Sequence, residues 1–419
     1  MKKLCRLSAV LLAVAIVVFF ASCDLINPVN PNNPPDPGPG TGPLEPSIPD
    51  EPPVLHYFRI VVDGNDISRD SETSIPVGYP ISVEIGGFTF TNDVPKYAIT
   101  LKSSGTVVDS IVGTLDNPIA KEQAPFIQLI SIHSISTAGS YTAEVYFEDS
   151  KGNKSNTLTT AFTVFDGRYI TVWPNPQVKQ IDMSGREGEG IQTVALLATG
   201  NHCDVYYDIT VSQPPEWQLM RIVYLYDNDY ERVTSFLGLY ERGGGPGGDG
   251  GGDNNPHIQT YIYDFNWAGG YVEPYDDSGE FIYINIGAVI GSTFVHELCH
   301  LIFFRNYPAP PDWDRWYTEF LSIMSQVVFY DDVYIAWTMA NVELFGVWSN
   351  EGGADSEVYY NTYKKLAKFL VDKYGNAIFY DLYHEAAVNK EALENVLGDR
   401  GQTISAMEIE FAAWCNTQG

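Results

Sequence analysis

The stretch His296-Glu297-Leu298-Cys299-His300 carries residue types at a spacing that could do hydrolytic chemistry. On an α-helix, residues four apart lie about 40° apart around the axis and one turn from each other. Both imidazoles can therefore reach one divalent ion, and Zn²⁺ suits such a pair. Glu297 directly follows the first histidine, so its carboxylate sits beside that ion and can take a proton from water held there. The run from Ile290 to Phe304 is apolar almost all round, which predicts a buried helix. Two imidazoles and a carboxylate inside it would be expensive unless a ligand satisfied them. The plain alternative is a histidine pair satisfied by backbone carbonyls, with no metal.

A catalytic zinc needs a third protein ligand and an open position for water. The segment Trp316-Tyr317-Thr318-Glu319-Phe320-Leu321-Ser322 is again helical in pattern and offers Glu319. Asp312 and Asp314 are rival carboxylates, but they share a loop with Pro308, Pro310 and Pro311 rather than a supporting helix. The longer metzincin pattern needs a glycine at 303 and a histidine at 306, where Phe303 and Asn306 stand. Residues 301 to 318 separate His300 from Glu319, and that gap of 18 resembles the spacing in gluzincins related to aminopeptidases.

The body that must position these residues begins at about Tyr169, where the pattern turns to mixed strands and helices. Several segments follow in order. Ala195 to Tyr206 contains Thr-Gly-Asn-His202-Cys203, and Ile262-Tyr-Asp-Phe-Asn266 and Gly269-Gly-Tyr-Val-Glu-Pro-Tyr-Asp-Asp277 come next. After them stand the histidine helix, the Trp-x-x-Glu-x-x-Ser segment and a helix ending in Lys373-Tyr374-Gly375. This region, roughly 60% of the chain, resembles the hyicolysin family of bacterial metallopeptidases within the gluzincin group. The resemblance implies a zinc cofactor, His296, His300 and Glu319 as its ligands, and Glu297 as general base. Relatives often place an acidic residue four after the glutamate ligand to orient a histidine; here it is Ile323. Cys299 lies between ligands at a non-ligand position, as a small buried hydrophobe.

Peptide hydrolysis also needs a hydrogen-bond donor for the developing oxyanion. In the aminopeptidase-like gluzincins that this region resembles, the donor is a tyrosine about 15 residues before a helix-ending glycine. Counting back from Gly375 reaches Tyr360, with Tyr359 and Tyr363 as close competitors, and the relatives' Lys-Gly after the tyrosine is missing. In a chain with 27 tyrosines, a packing role is the plain alternative. His384 is the second-choice donor. His202 and His257 stand alone and read as structural, and the glycine-rich run from Gly243 to Gly252 reads as a loop beside the cleft.

Between about Val54 and Phe165 the text is different: short β-type runs separated by turn signals. Examples are Phe58 to Val62, Ile81 to Ile85, Tyr97 to Leu101, Tyr141 to Phe147 and Leu158 to Val164. About seven such strands predict an immunoglobulin-like sandwich over 55–165. Ala138-Gly139-Ser140-Tyr141 resembles the corner of such domains where a tyrosine ties down a loop. This domain reads as a spacer or binding module.

Upstream, Lys2, Lys3 and Arg6 precede an apolar run from Leu7 to Ala21, the pattern of an export signal and too short to span a membrane. Phe20-Ala21-Ser22-Cys23 resembles a bacterial lipobox, which implies that residues 1–22 are a lipoprotein signal peptide and that Cys23 is lipidated. Residues 23–54, rich in Pro, Asn, Gly and Asp, form an extended tether. The body keeps Cys203, Cys299 and Cys415; a Cys203–Cys415 disulfide and free thiols are both compatible with the sequence. Acidic residues outnumber basic ones, 53 to 24, for a net charge of −29, so nucleic acid is excluded as a partner.

The expectation is a multidomain envelope lipoprotein, extracytoplasmic and held to the membrane through Cys23. An all-β immunoglobulin-like sandwich precedes an α+β zincin-type metallopeptidase domain over 166–419, whose C-terminal half is helical. Zinc-activated water, with Glu297 as base, would cleave peptide bonds of a protein or peptide substrate. The alternative is a catalytically inactive surface binding lipoprotein on a peptidase-like scaffold. The complete set of ligands and base argues against that alternative.

Overall fold

The computed structural model describes residues 51–67, 73–89, 92–120, 125–182, 190–239, 257–265, 269–272, 281–307, 315–330, 356–386 and 391–417. Cys23 with its leader and tether, Asp312, Asp314 and the run from Gly243 to Gly252 lie outside these residues.

The first nine strands are β1 (Val54–Val62), β2 (Asn65–Asp66), β3 (Ser74–Pro76), β4 (Ile81–Phe88), β5 (Val94–Ser103), β6 (Thr106–Ile119), β7 (Phe126–Ile132), β8 (Gly139–Glu148) and β9 (Leu158–Phe165). Every run named from the sequence falls inside one of them. They form two sheets, ordered β2-β1-β4-β7 and β3-β9-β8-β5-β6. Alternation explains the pairing: Tyr141, Ala143, Val145 and Phe147 point inward from β8, while Thr142, Glu144 and Tyr146 stay partly exposed. The inward residues meet Val83 and Ile85 of β4 and Phe126 of β7 in one shared core, with the Phe126 and Phe147 rings stacked 5.7 Å apart. The expected corner is present, with the Tyr141 hydroxyl donating to the Thr137 carbonyl at 2.8 Å.

A third sheet contains β10 (Thr171–Asp182), β11 (Ile191–Thr199), β12 (Cys203–Asp208), β13 (Ile258–Tyr263), β14 (Gly270–Val272) and β15 (Phe281–Asn285). Its order is β10-β11-β12-β13-β15-β14, so among the described residues the short β14 sits at the end of the sheet, paired antiparallel with β15. β12, β13 and β15 run parallel, and a parallel pair needs a long crossover. Between β12 and β13 that crossover includes α1 (Glu216–Leu237). The remaining described helices are α2 (Thr293–Asn306), α3 (Arg315–Tyr330), α4 (Ser356–Tyr374), α5 (Ala377–Ala386), α6 (Ala392–Gly398) and α7 (Ile404–Thr417). None of the described helices is long and apolar enough to cross a membrane.

One face of the third sheet, through Val205, Ile262, Ile282 and Ile284, packs with Val223 of α1 and Val295 and Leu298 of α2 in the main core. The other face carries a separate cluster of Tyr261, Tyr263, Tyr271 and Tyr283. The sandwich is packed against the body that follows it. Trp217, in the first turn of α1, is 3% exposed and belongs to the sandwich core, and the buried Arg221 one turn later reaches the Ser74 hydroxyl of β3 at 3.4 Å. Residues Asp50–Gly419 accordingly form one unit. Cys203, Cys299 and Cys415 are free thiols, so the disulfide left open by the sequence is not formed.

Candidate metal centre

α2 is buried from Phe294 to Phe303, as its composition requires. It is tied to two neighbouring helices. The Tyr383 hydroxyl of α5 donates to the Cys299 carbonyl at 2.7 Å, and Gln326 of α3 donates to the Ser292 hydroxyl, just before the helix, at 3.0 Å. Cys299 is wholly buried, and burial pushes its thiol up to about 12, so it stays neutral and packs as a small apolar group.

His296 and His300 lie one turn apart on α2, with rings at 77° and Nε2 atoms 3.2 Å from each other. α3 packs across α2 and brings Glu319 to them: its Oε2 lies 3.4 Å from His296 Nε2 and 3.6 Å from His300 Nε2. Three ligands of a tetrahedral ion with bonds of about 2.0–2.1 Å sit roughly 3.3–3.4 Å apart. The observed separations bracket that value, so the three side chains fit a divalent ion, and they form a potential metal-holding group among the described residues. Without an ion, one imidazole nitrogen must donate to the other, and Glu319 competes for the same protons. A cation satisfies all three lone pairs at once.

Both imidazoles are buried, whereas the Glu319 side chain keeps 19% of its surface, which leaves the group open on one side. Burial alone would raise the Glu319 carboxyl, but the charge of His300 and hydrogen bonds from both rings outweigh it and hold it well below the usual range. Glu297 behaves oppositely. Burial pushes it up to about 8, the charge of His296 partly offsets this, and the charge of Glu319 adds to it. Two carboxyls on neighbouring helices are thus driven apart, one to bind a cation as an anion and one to hold a proton near neutrality. A dication beside Glu297 would favour its ionised form and make it a base.

The residue four after Glu319, Ile323, is fully buried in the core and orients nothing polar. His300 Nδ1 is buried and meets no hydrogen-bond partner among the described residues; its ring instead lies parallel to Phe304, 8° from coplanar with centroids 5.9 Å apart. Tyr360 lies on α4, but its side chain is outside the described residues, as is that of Tyr359. Gly375, used to count back to Tyr360, takes φ +75° and its N–H bonds the Val371 carbonyl at 2.8 Å, so it does end that helix. His384 is not placed to serve an oxyanion, because both ring nitrogens are engaged. Nε2 lies 2.8 Å from the Leu237 carbonyl, which fixes it as the donor, and Nδ1 is 3.0 Å from the Tyr307 hydroxyl. His202 and His257 are structural neighbours of Glu231 and Asp204.

Sequence reasoning missed Gly270. A Cβ there would lie 2.8 Å from both Cγ and Oε1 of Glu297. The available signal was a glycine inside a short strand, which marks a close backbone approach.

No family model and no curated protein matches the sequence. Among solved structures, the chain is similar to the PKD domain of an M14-like peptidase from Thermoplasmatales archaeon SCGC AB-540-F20, at 14% identity over 27% of this chain and 96% of that one, TM-score 0.19. A Niemann-Pick type C2 protein from Japanese carpenter ant is similar at 14% identity over 27% of this chain and 94% of that one, TM-score 0.21. A superoxide reductase from Ignicoccus hospitalis is similar at 9% identity over 26% and 82%, TM-score 0.17.

Proposed function

We propose that this chain is a zinc-dependent peptidase of the gluzincin type, related to the hyicolysins, joined to an immunoglobulin-like sandwich and anchored in a bacterial envelope through a lipid on Cys23. The convergence of His296, His300 and Glu319 within 3.2–3.6 Å, with Glu297 buried beside them, is the observation that carries this reading. When bound, zinc supplies Lewis-acid chemistry, lowering the pKa of a water toward about 7 and polarising a carbonyl. His296 and His300 would hold the ion as neutral ligands, with Glu319 adding one negative charge. Glu297 takes the proton of the attacking water at a carboxylate oxygen and delivers it to the leaving amine. Tyr360 is assigned to donate to the oxyanion. The substrates are extracytoplasmic proteins or peptides.

Metal analysis and turnover of an unstructured protein substrate test this together. The full chain should hold one zinc. Glu297→Gln should retain that zinc and lose turnover by about 100- to 10,000-fold, the range for a general base. Glu319→Ala should weaken zinc by more than the roughly 10- to 100-fold that follows loss of a supporting outer residue. Normal turnover in Glu297→Gln would remove the mechanism. A wild-type chain that holds zinc but cleaves nothing would instead favour a binding scaffold.

A further inference from the structure

β14, at the end of the third sheet, enters the site with Gly270, paired to Ile284 of β15. Thr293 and Glu297 lie one turn apart on the same face of α2, and Gly270 occupies the notch between them. A Cβ at 270 would stand 2.8 Å from Cγ and Oε1 of Glu297 and 2.9 Å from Cγ2 of Thr293. Real Cβ atoms do not approach that closely, so the Glu297 arm, itself buried at 4% exposure, would have to shift to admit one. The preceding Gly269 makes a useful contrast, since a Cβ there would meet Thr293 and Ala288 at ordinary contact distances of 3.7 and 3.8 Å. Neither glycine takes a left-handed φ, so neither is required for backbone freedom.

We propose that Gly270 is a positioning residue for Glu297: its missing side chain lets the edge strand press against the glutamate arm and hold the carboxylate in one rotamer beside the two histidines. Reach and angle of a base decide proton transfer, and a misplacement of about 1 Å can lower a rate about 100-fold. This inference rests on the peptidase reading for its kinetic consequence but not for its geometry.

The test compares Gly270→Ala with Gly269→Ala in the full chain. Gly270→Ala should keep one zinc and lose kcat at least tenfold with KM changed less, while Gly269→Ala stays within twofold of wild type. A crystal structure of metal-free Gly270→Ala should show the Glu297 carboxylate displaced by about 1 Å or more, with His296, His300 and Glu319 unmoved. That displacement decides the proposal even if the wild-type chain cleaves no substrate, in which case only the peptidase reading fails. If Gly270→Ala folds poorly, Glu297→Ala in the same chain, combined with Thr293→Ser to remove the second close contact, should restore its thermal midpoint, because the colliding atoms are gone. An unmoved carboxylate, an undiminished kcat, a Gly269→Ala variant equally damaged or a midpoint left unrestored would overturn the proposal.

Discussion

The opposite behaviour of the two glutamates predicts that stability of the metal-free protein falls as pH rises. Glu297 goes from an ordinary 4.5 to about 8 on burial, and at 4% exposure little solvent screens it. In the unfolded chain this carboxyl ionises above about pH 4.5, whereas the folded one keeps its proton until about pH 8. The folded state therefore holds more protons across that window, and its stability drops with rising pH. At about 1.4 kcal/mol per pH unit, the ceiling is about 5 kcal/mol between the two values. Glu319, depressed in the fold, works the other way, with a contribution present above 4.5 and lost only as pH falls below it. It does not mask the effect between pH 5 and 8. Residues Asp50–Gly419 form one unit, and at about 2.1 cal/mol/K per residue a unit of that length shifts its midpoint by only about 1–1.5 °C per kcal/mol, so the drop should be about 5–7 °C. The assay is thermal unfolding of chelated wild type and chelated Glu297→Gln at pH 5, 6, 7 and 8. Wild type should fall relative to the variant as pH rises, and zinc should flatten the difference by favouring the carboxylate. Parallel curves for the two chelated proteins would refute the buried, protonated Glu297.

Tyr360→Phe should lower kcat by roughly 100- to 1,000-fold, the loss typical of an oxyanion donor, whereas His384→Gln should fall far short of that loss because its ring nitrogens are already engaged. Turnover on the same substrate separates them, and a larger loss for His384→Gln would reverse the assignment. Trp217→Ala should destabilise the protein by about 3–5 kcal/mol, since that indole is buried in the sandwich core. Limited proteolysis should show the sandwich and the helical half becoming susceptible together, not one alone. Tyr141→Phe should lose only about 0.5–1.5 kcal/mol, the worth of its hydroxyl bond to Thr137, read as a lower denaturant midpoint with unchanged slope.

What was legible in the sequence follows from range. The four-residue spacing of His296 and His300 becomes a shared face through helix geometry alone, so the pair needed no tertiary knowledge. The strands of the sandwich were readable because alternation such as Tyr141 to Phe147 repeats over several turns of the pleat. Glu319 was harder, since its place depends on how α3 crosses α2, and it was reached through spacing and resemblance together. Features set by distant pairing left no local pattern. Trp217 reads as an ordinary apolar residue of α1 until β3 packs beside that helix and the sandwich core takes the indole in. The last place of β14, outside β15 although earlier in the chain, is likewise a property of sheet order. His384 could be called a free donor from sequence because nothing local announces Leu237 and Tyr307 as its partners.

These long-range features share a consequence for the site. α1 joins the sandwich through Trp217 and Arg221 and also joins α2, with the Tyr226 ring stacked 4.0 Å from Phe294. Phe294 stands two residues before His296 on the same rigid helix. The Tyr226 hydroxyl also bonds the Val289 carbonyl at 2.8 Å, in the turn leading into α2. The sandwich core is thus connected to the metal-holding helix through one intervening helix, by packed side chains rather than by a flexible link. Close-packed interiors transmit displacement instead of absorbing it. Loosening Trp217 should therefore reach the spacing of His296 and Glu319 as well as stability, and zinc affinity of Trp217→Ala, measured below its unfolding transition, is where that shift would register.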